Sequence, residues 1–170
     1  MSSEPRLTHV DEAGAARMVD VSGKDVTVRT ATATGRVLVS PEVLALLREG
    51  AVPKGDALAV ARIAGIQAAK RTPDLVPLCH PIAIHAVDVD LAVADDAVHV
   101  SATVRTADRT GVEMEALTCV AVAGLALVDM VKAVDRAATI TDVRVEHKSG
   151  GRSGEWRRGS GSPVEPSAAP

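Results

Sequence analysis

The stretch that most restricts what this chain can fold into follows Gly111: VEMEALTCVAVAGLALVDMVKAVD, residues 112–135. It predicts a helix of about 20 residues, apolar nearly all round in its middle, and such a helix has to be covered on most sides. A sheet on one side and a second subunit on another would do this. The sheet is legible in period-two patterns. From Asp25 to Val39 the chain is rich in Val and Thr, with Val26, Val28, Thr30, Thr32 and Thr34 on one face. From Ile82 to Ala94, Val87, Val89, Leu91 and Val93 alternate with His85, Asp88, Asp90 and Ala92. Asp95-Asp96 makes a turn, and Val98, Val100, Ala102 and Val104 alternate again, giving a hairpin. Thr139 to Glu146 supplies a last strand.

Two further helices fall between the first and second strands. Ser40, Pro41 and Glu42 give an N-cap acceptor, a first-turn proline and a carboxylate at the positive end of the dipole; Gly50 ends that helix. Asp56 caps the next, which runs to about Arg71 with Leu58, Ala61 and Ile63 to Ala64 as its buried stripe. The order β-α-α-β-β-α-β is the split pattern of ferredoxin-like folds. The predicted fold class is therefore α+β, ferredoxin-like, an antiparallel sheet with helices on one face.

This core is one domain over residues 25–148, flanked by a mobile arm at 1–24 and a tail at 149–170. In the tail 13 of 22 residues are Gly, Ser or Pro, a composition that does not offset its ordering entropy, so it is expected to be mostly disordered beyond about Gly154. In the arm, His9, Asp11, Asp20 and Lys24 join a site only if the arm folds over one. The chain has no Phe or Tyr and one Trp, so Val, Leu, Ile and Ala build the core and subunit association is a natural way to bury more surface. A net charge of -3 argues against nucleic acid as a partner, and any anionic ligand needs a local basic cluster. Two cysteines without CxxC or HxH spacing form neither a disulfide framework nor a metal site, which points to a reducing cytoplasm. The longest apolar run, Val120 to Val128, is short of the ~20 residues of a membrane span, so no membrane partner is expected.

Candidate chemistry begins with DLVPLCHP, residues 74–81. Pro73, Pro77 and Pro81 mark it as non-helical loop and hold His80 extended. Glu113 and Glu115, if still extended, project to one side about 6.6 Å apart, close enough to split their pKa values; otherwise they are glutamates at a helix N-terminus favouring its dipole. Asp129 and Lys132 are neighbours on the long helix, an expensive pair among apolar residues unless paired or used. Glu115 and Asp129 are 14 positions apart on that helix, about 21 Å, too far for one small-molecule site in one subunit. If both function, two chains assemble the site. Lys54 precedes a helix N-terminus and suits phosphate. KSGGRSG, with Lys148 and Arg152, brings glycine amides and cations toward an anion without Walker A spacing. Cys79 beside His80 suggests a thiol nucleophile, but neighbours on an extended chain point to opposite sides.

The segments LTHVDEAGAARMVDV, VPKGDALAVARIAGIQAAKRTPDLVPLCHPI, GVEMEALT, LVDMVKAVD and HKSGGRSG together resemble the cyclic pyranopterin monophosphate synthase family, molybdenum cofactor biosynthesis protein C. The resemblance runs from about Leu7 to Gly154. It implies a ferredoxin-like subunit in a homohexamer, a trimer of dimers, with active sites at dimer interfaces. It implies a lyase that converts (8S)-3',8-cyclo-7,8-dihydroguanosine 5'-triphosphate to cyclic pyranopterin monophosphate with release of pyrophosphate. No redox cofactor is needed, and whether Mg²⁺ accompanies the triphosphate is left open. Carried onto this chain, the family's catalytic positions are Asp129, Lys132, His80, Glu113 and Lys54. Leu78, Cys79, His80, Met114, Glu115, Lys148 and Arg152 line the substrate. The roles implied are Asp129 with Lys132 as acid and base, Lys54, Lys148 and Arg152 on the triphosphate, and His80 with Glu113 orienting the base and shuttling protons. Arg152 stands where some relatives carry lysine, which keeps the charge and changes its geometry. Two rival classes fit less well. An RNA-binding module stacks bases on sheet aromatics, which this sheet lacks, and a metabolite-sensing module has no use for Asp129 and Lys132.

Overall fold

The computed structural model describes Val10 and residues 13–159. His9, Asp11 and residues 160–170 of the expected tail lie outside the described residues. The elements run β1 (Thr27–Leu38), α1 (Pro41–Glu49), α2 (Ala57–Ala69), α3 (Thr72–Leu75), β2 (Ile84–Val93), β3 (Ala97–Asp108), α4 (Glu113–Val131), β4 (Thr139–Ser149) and β5 (Trp156–Arg157). The strands form one antiparallel sheet in the order β2-β3-β1-β4-β5. This is the ferredoxin-like α+β arrangement, with one short strand added at the β4 edge.

Helix α4 lies across β1, β3 and β4, and α2 lies beside it. Of the two faces of β1, the one that meets the helices carries Ala31, Ala33 and Val37, all fully buried. Small residues there leave room for Val120 and Leu127 of α4, which pack with Val98, Val100 and Val104 of β3 in one core. The opposite face of β1 is polar, and Thr32 meets Thr103 hydroxyl to hydroxyl at 2.8 Å. By length and mean hydropathy, 1.9, α4 also suits a membrane span, but half of that window is buried inside the fold.

The caps read from sequence are formed. The Ser40 hydroxyl accepts from the Val43 amide at 3.3 Å, and the Asp56 carboxylate from the Ala59 amide at 2.9 Å. Four expectations need correction. The stripe on α2 is Ala57, Ala61, Gly65, Ala68 and Ala69, and Ile63 is 58% exposed. An apolar helix with a small-residue seam buries the seam, because only there do two backbones approach closely. The loop before His80 includes one helical turn, α3, since Pro73 in a first turn gives up an N–H that has no intrahelical partner. Glu113 and Glu115 belong to α4 rather than to an extended run. The tail pairs again after Gly154: Trp156 and Arg157 pair with Lys148 and His147, and the Arg158 amide donates to the Glu146 carbonyl at 2.8 Å. Glu155, between His147 and Arg157, and Arg158, over the Trp156 ring, hold this turn back against β4.

Gly65 marks the tightest approach of α2 to α4. A Cβ there would lie 2.9 Å from the Cys119 carbonyl and 3.1 Å from the Ala123 methyl. Helix propensity favours alanine by about 1 kcal/mol, whereas overpacking costs roughly 1–3 kcal/mol. Gly65→Ala is therefore expected to lower the urea midpoint of unfolding. A midpoint equal to or above that of the parent chain would mean that the helices separate at no cost.

Candidate active site

The first turn of α4 and the His80 loop face each other across a cleft of about 350 Å³. Leu78, Cys79 and His80 form one wall and Glu113, Met114 and Glu115 the other, while Val19, Val21 and Lys24 of the N-terminal segment close it above. The His80 ring Nε2 lies 2.7 Å from the Val19 carbonyl. A carbonyl only accepts, so Nε2 carries a proton and donates to it, which leaves Nδ1 turned away from the Val19 carbonyl. The segment expected as an arm thus orients a site histidine, and the Lys24 carbonyl accepts from Arg109 Nε at 2.9 Å.

Two positions apart on a helix is about 200° of rotation, so the two glutamates diverge. Glu113 folds back against Gly111 and accepts from Lys148 Nζ at 2.8 Å. Glu115 turns inward and is 3% exposed. Burial pushes its carboxyl up to about 7; its own backbone N–H opposes this and the Glu113 charge adds to it. Glu113 is thus paired with a cation, while burial, and not the side-by-side placement considered from sequence, raises the Glu115 carboxyl. Burial, then the Glu115 charge, raises the Cys79 thiol above its ordinary value. Cys79 is therefore a neutral wall of the cleft, which argues against a thiolate nucleophile.

A second cluster forms at the other end of α4. Lys132 Nζ lies 2.7 Å from Asp129 Oδ1, and Lys54 Nζ donates to the Asp129 carbonyl at 2.8 Å and to Oδ2 at 3.2 Å. The hydrogen bonds from Lys132 and then Lys54 hold the Asp129 carboxyl below the usual carboxylate range. Within the single chain, Asp129 and Lys132 are each 57% exposed and Lys54 is 41% exposed. The neighbours expected among apolar residues thus stand at an open helix end. Lys54, expected with Lys148 and Arg152 on a triphosphate, is instead joined to Asp129, 75 residues away in sequence.

The expected site residues therefore form two groups. His80, Glu113, Glu115 and Lys148 gather at the start of α4, and Lys54, Asp129 and Lys132 at its end. Sixteen residues of helix, about 24 Å, separate Glu113 from Asp129. Arg152 stands apart, in a basic cavity with Lys24 and Arg29. Arg29 was not read from the sequence as a site residue. An arginine within a Val/Thr strand was the only signal. Among the described residues, no group of three or more His, Cys, Asp or Glu is arranged to hold a metal ion.

The lysine-flanked carboxylate at one end of α4, and the histidine and buried glutamate of the cleft at the other, are the kinds of group that acid-base enzymes use. The chain is a member of the MoaC family, whose model matches residues 18–151. It is 73% identical over 155 residues to the cyclic pyranopterin monophosphate synthase of Streptomyces coelicolor, covering 91% of each chain. It is 70% identical to the protein of the same name from Nocardioides sp., over 93% of this chain and 99% of that one. Cyclic pyranopterin monophosphate synthase 2 of Mycobacterium tuberculosis is 59% identical, over 89% of this chain and 91% of its own.

Proposed function

We propose that this chain is a cyclic pyranopterin monophosphate synthase of molybdenum cofactor biosynthesis. It converts (8S)-3',8-cyclo-7,8-dihydroguanosine 5'-triphosphate to cyclic pyranopterin monophosphate and pyrophosphate. The relatives' names give the product, the family resemblance gives the substrate, and the observation that supports the reading for this chain is the Lys54–Asp129–Lys132 cluster. Asp129, held ionised between two ammonium groups, takes protons during ring opening and rearrangement, and the ammonium groups return them. Glu115, with a carboxyl at about 7, and His80, its Nε2–H held by Val19, exchange protons with the base in the cleft. Closing the cyclic phosphate forms a new P–O bond at the innermost phosphorus and breaks its bond to the bridging oxygen, which leaves with pyrophosphate. No electrons are transferred, so the reading includes no redox cofactor. The compartment proposed is the cytoplasm.

The active unit proposed is a dimer, three of which form a hexamer. A separation of about 24 Å is too great for one substrate, so the Asp129 end of one protomer completes the His80 cleft of another. Exposed Ile63 and Leu125 on the helix layer, 58% and 60% exposed, supply apolar surface for that contact. Mixing subunits tests it. In a co-refolded mixture of Asp129→Asn and Glu113→Gln chains, random pairing gives heterodimers with one intact site and one doubly altered site. Pyrophosphate release should return to roughly a quarter of the parent activity. A mixture no more active than either variant alone would place all site residues of one centre in one chain.

A further inference from the structure

The two walls of the cleft are joined at their roots. The His80 loop runs through Pro81 into β2, and β3 runs through Thr110 and Gly111 into the first turn of α4. Strands β2 and β3 pair antiparallel, so both walls spring from the place where their ladder ends, at Ile84 opposite Thr106. Pairing there is irregular. Between Ile84 and Ala86 the register shifts, which leaves His85 as an extra residue on β2.

Two side chains close this ladder end. The Ala107 amide, just beyond the last pair, donates to His85 Nδ1 at 3.3 Å. A backbone N–H only donates, so Nδ1 is unprotonated, and the imidazole stands in for the strand carbonyl that the ladder lacks at this position. From the other strand, Thr106 Oγ1 donates to the Ala83 carbonyl at 2.6 Å. Thr106 is 1% exposed and continues the inward row of Val98, Val100, Ala102 and Val104. Valine would suit that row, and the bond to Ala83 is what the hydroxyl adds. Pro81 has no N–H to give, so the exit of the His80 loop is anchored through its acceptor at Ala83 instead. Neither His85 nor Thr106 lines the cleft.

We propose that His85 and Thr106 are positioning residues: by clamping residues 83–85 to the end of β3, they set the width of the cleft between His80 on one wall and Glu115 on the other. Proton exchange needs each group within hydrogen-bond reach of the atom it serves. Misplacement on the order of 1 Å costs up to ~100-fold in rate. The effect on turnover rests on the synthase reading; the clamp itself does not.

Cys79 reports on the clamp without turnover. It lies half-buried in the cleft wall beside His80, whereas Cys119 is fully buried, so labelling the assembled chain with an aromatic disulfide reagent reads the opening of this wall. His85→Leu removes the acceptor and Thr106→Val the donor. Each is expected to speed Cys79 labelling by about tenfold, the usual effect on local opening of losing one hydrogen bond. Each should also lower kcat by about tenfold and leave KM for the cyclised nucleotide nearly unchanged, because no group that holds the substrate is removed. His85→Asn, whose Oδ1 accepts where Nδ1 does, and Thr106→Ser, which keeps the hydroxyl, should match the parent chain in all three measurements. His85 is exposed, so its two variants carry the test if Thr106→Val fails to fold. Labelling or kcat of His85→Leu indistinguishable from the parent would overturn the proposal, as would a His85→Asn chain impaired as much as His85→Leu. A parent chain that releases no pyrophosphate from the nucleotide would overturn the reaction instead, and the labelling rates would still decide the clamp.

Discussion

Asp129→Asn is expected to lower kcat by about a thousandfold, within the range of general acid-base groups, while folding and assembly persist. Asparagine keeps the size of the side chain and one of its two oxygens, but exchanges the other for an amide nitrogen and loses the charge. Lys54 and Lys132 would then face each other without the anion that now lies within 3.2 Å of each. Within the subunit the carboxylate is 57% exposed, so its removal leaves no charge buried in the fold, and the loss should appear in turnover rather than in the thermal stability of the subunit. Pyrophosphate release, together with circular dichroism and sedimentation of the same preparation, separates the two. A rate within a few fold of the parent chain would remove Asp129 from the chemistry.

The second large effect concerns the pH dependence of stability. Burial raises the Glu115 carboxyl to about 7 in the folded chain, against an ordinary value of 4.5. The native state therefore binds more protons than the unfolded state between those values, and stability falls as pH rises. The contribution is fully present below about 4.5 and is lost as pH climbs through about 7. The difference corresponds to roughly 3 kcal/mol, several degrees in Tm for a chain of this size. Glu115→Gln should flatten this part of the Tm profile between pH 5 and 8, and at pH 8 the variant should be the more stable protein. Parallel profiles for the two chains would show that the buried carboxyl does not titrate in this range.

Much of the fold was legible because strands and helices advertise themselves by period. Every main element appears in its expected order, and the caps at Ser40 and Asp56 form as read. What periodicity could not decide was which face is buried when both are apolar enough. Val26 and Val28 are 54% and 56% exposed, while smaller Ala31 and Ala33 of the next turns of β1 face the helices. Ile63 is exposed for the same reason: close helix contact selects for small residues, not for hydrophobicity. The short strand at Trp156 was hidden by composition, since a count of Gly, Ser and Pro does not register a single aromatic flanked by charged residues that bond back to β4.

For the site, spacing on one helix was enough to pair Asp129 with Lys132 and to divide Asp129 from Glu115. Contacts between distant segments were not accessible in this way. Lys54 reaching Asp129, Lys148 reaching Glu113 and Val19 reaching His80 depend on how the sheet and helices stack, and no local pattern encodes them. Family resemblance supplied those residues, apart from Val19, as a set without saying which touch. Arg29 escaped both routes because its neighbours in the cavity come from the two chain ends.

One rod of 19 residues, α4, carries Glu113 and Glu115 on its first turn and Asp129 two residues before its last. In the proposed pair, its length becomes a ruler: it sets how far apart the two centres lie, and neither can be moved without displacing its twin.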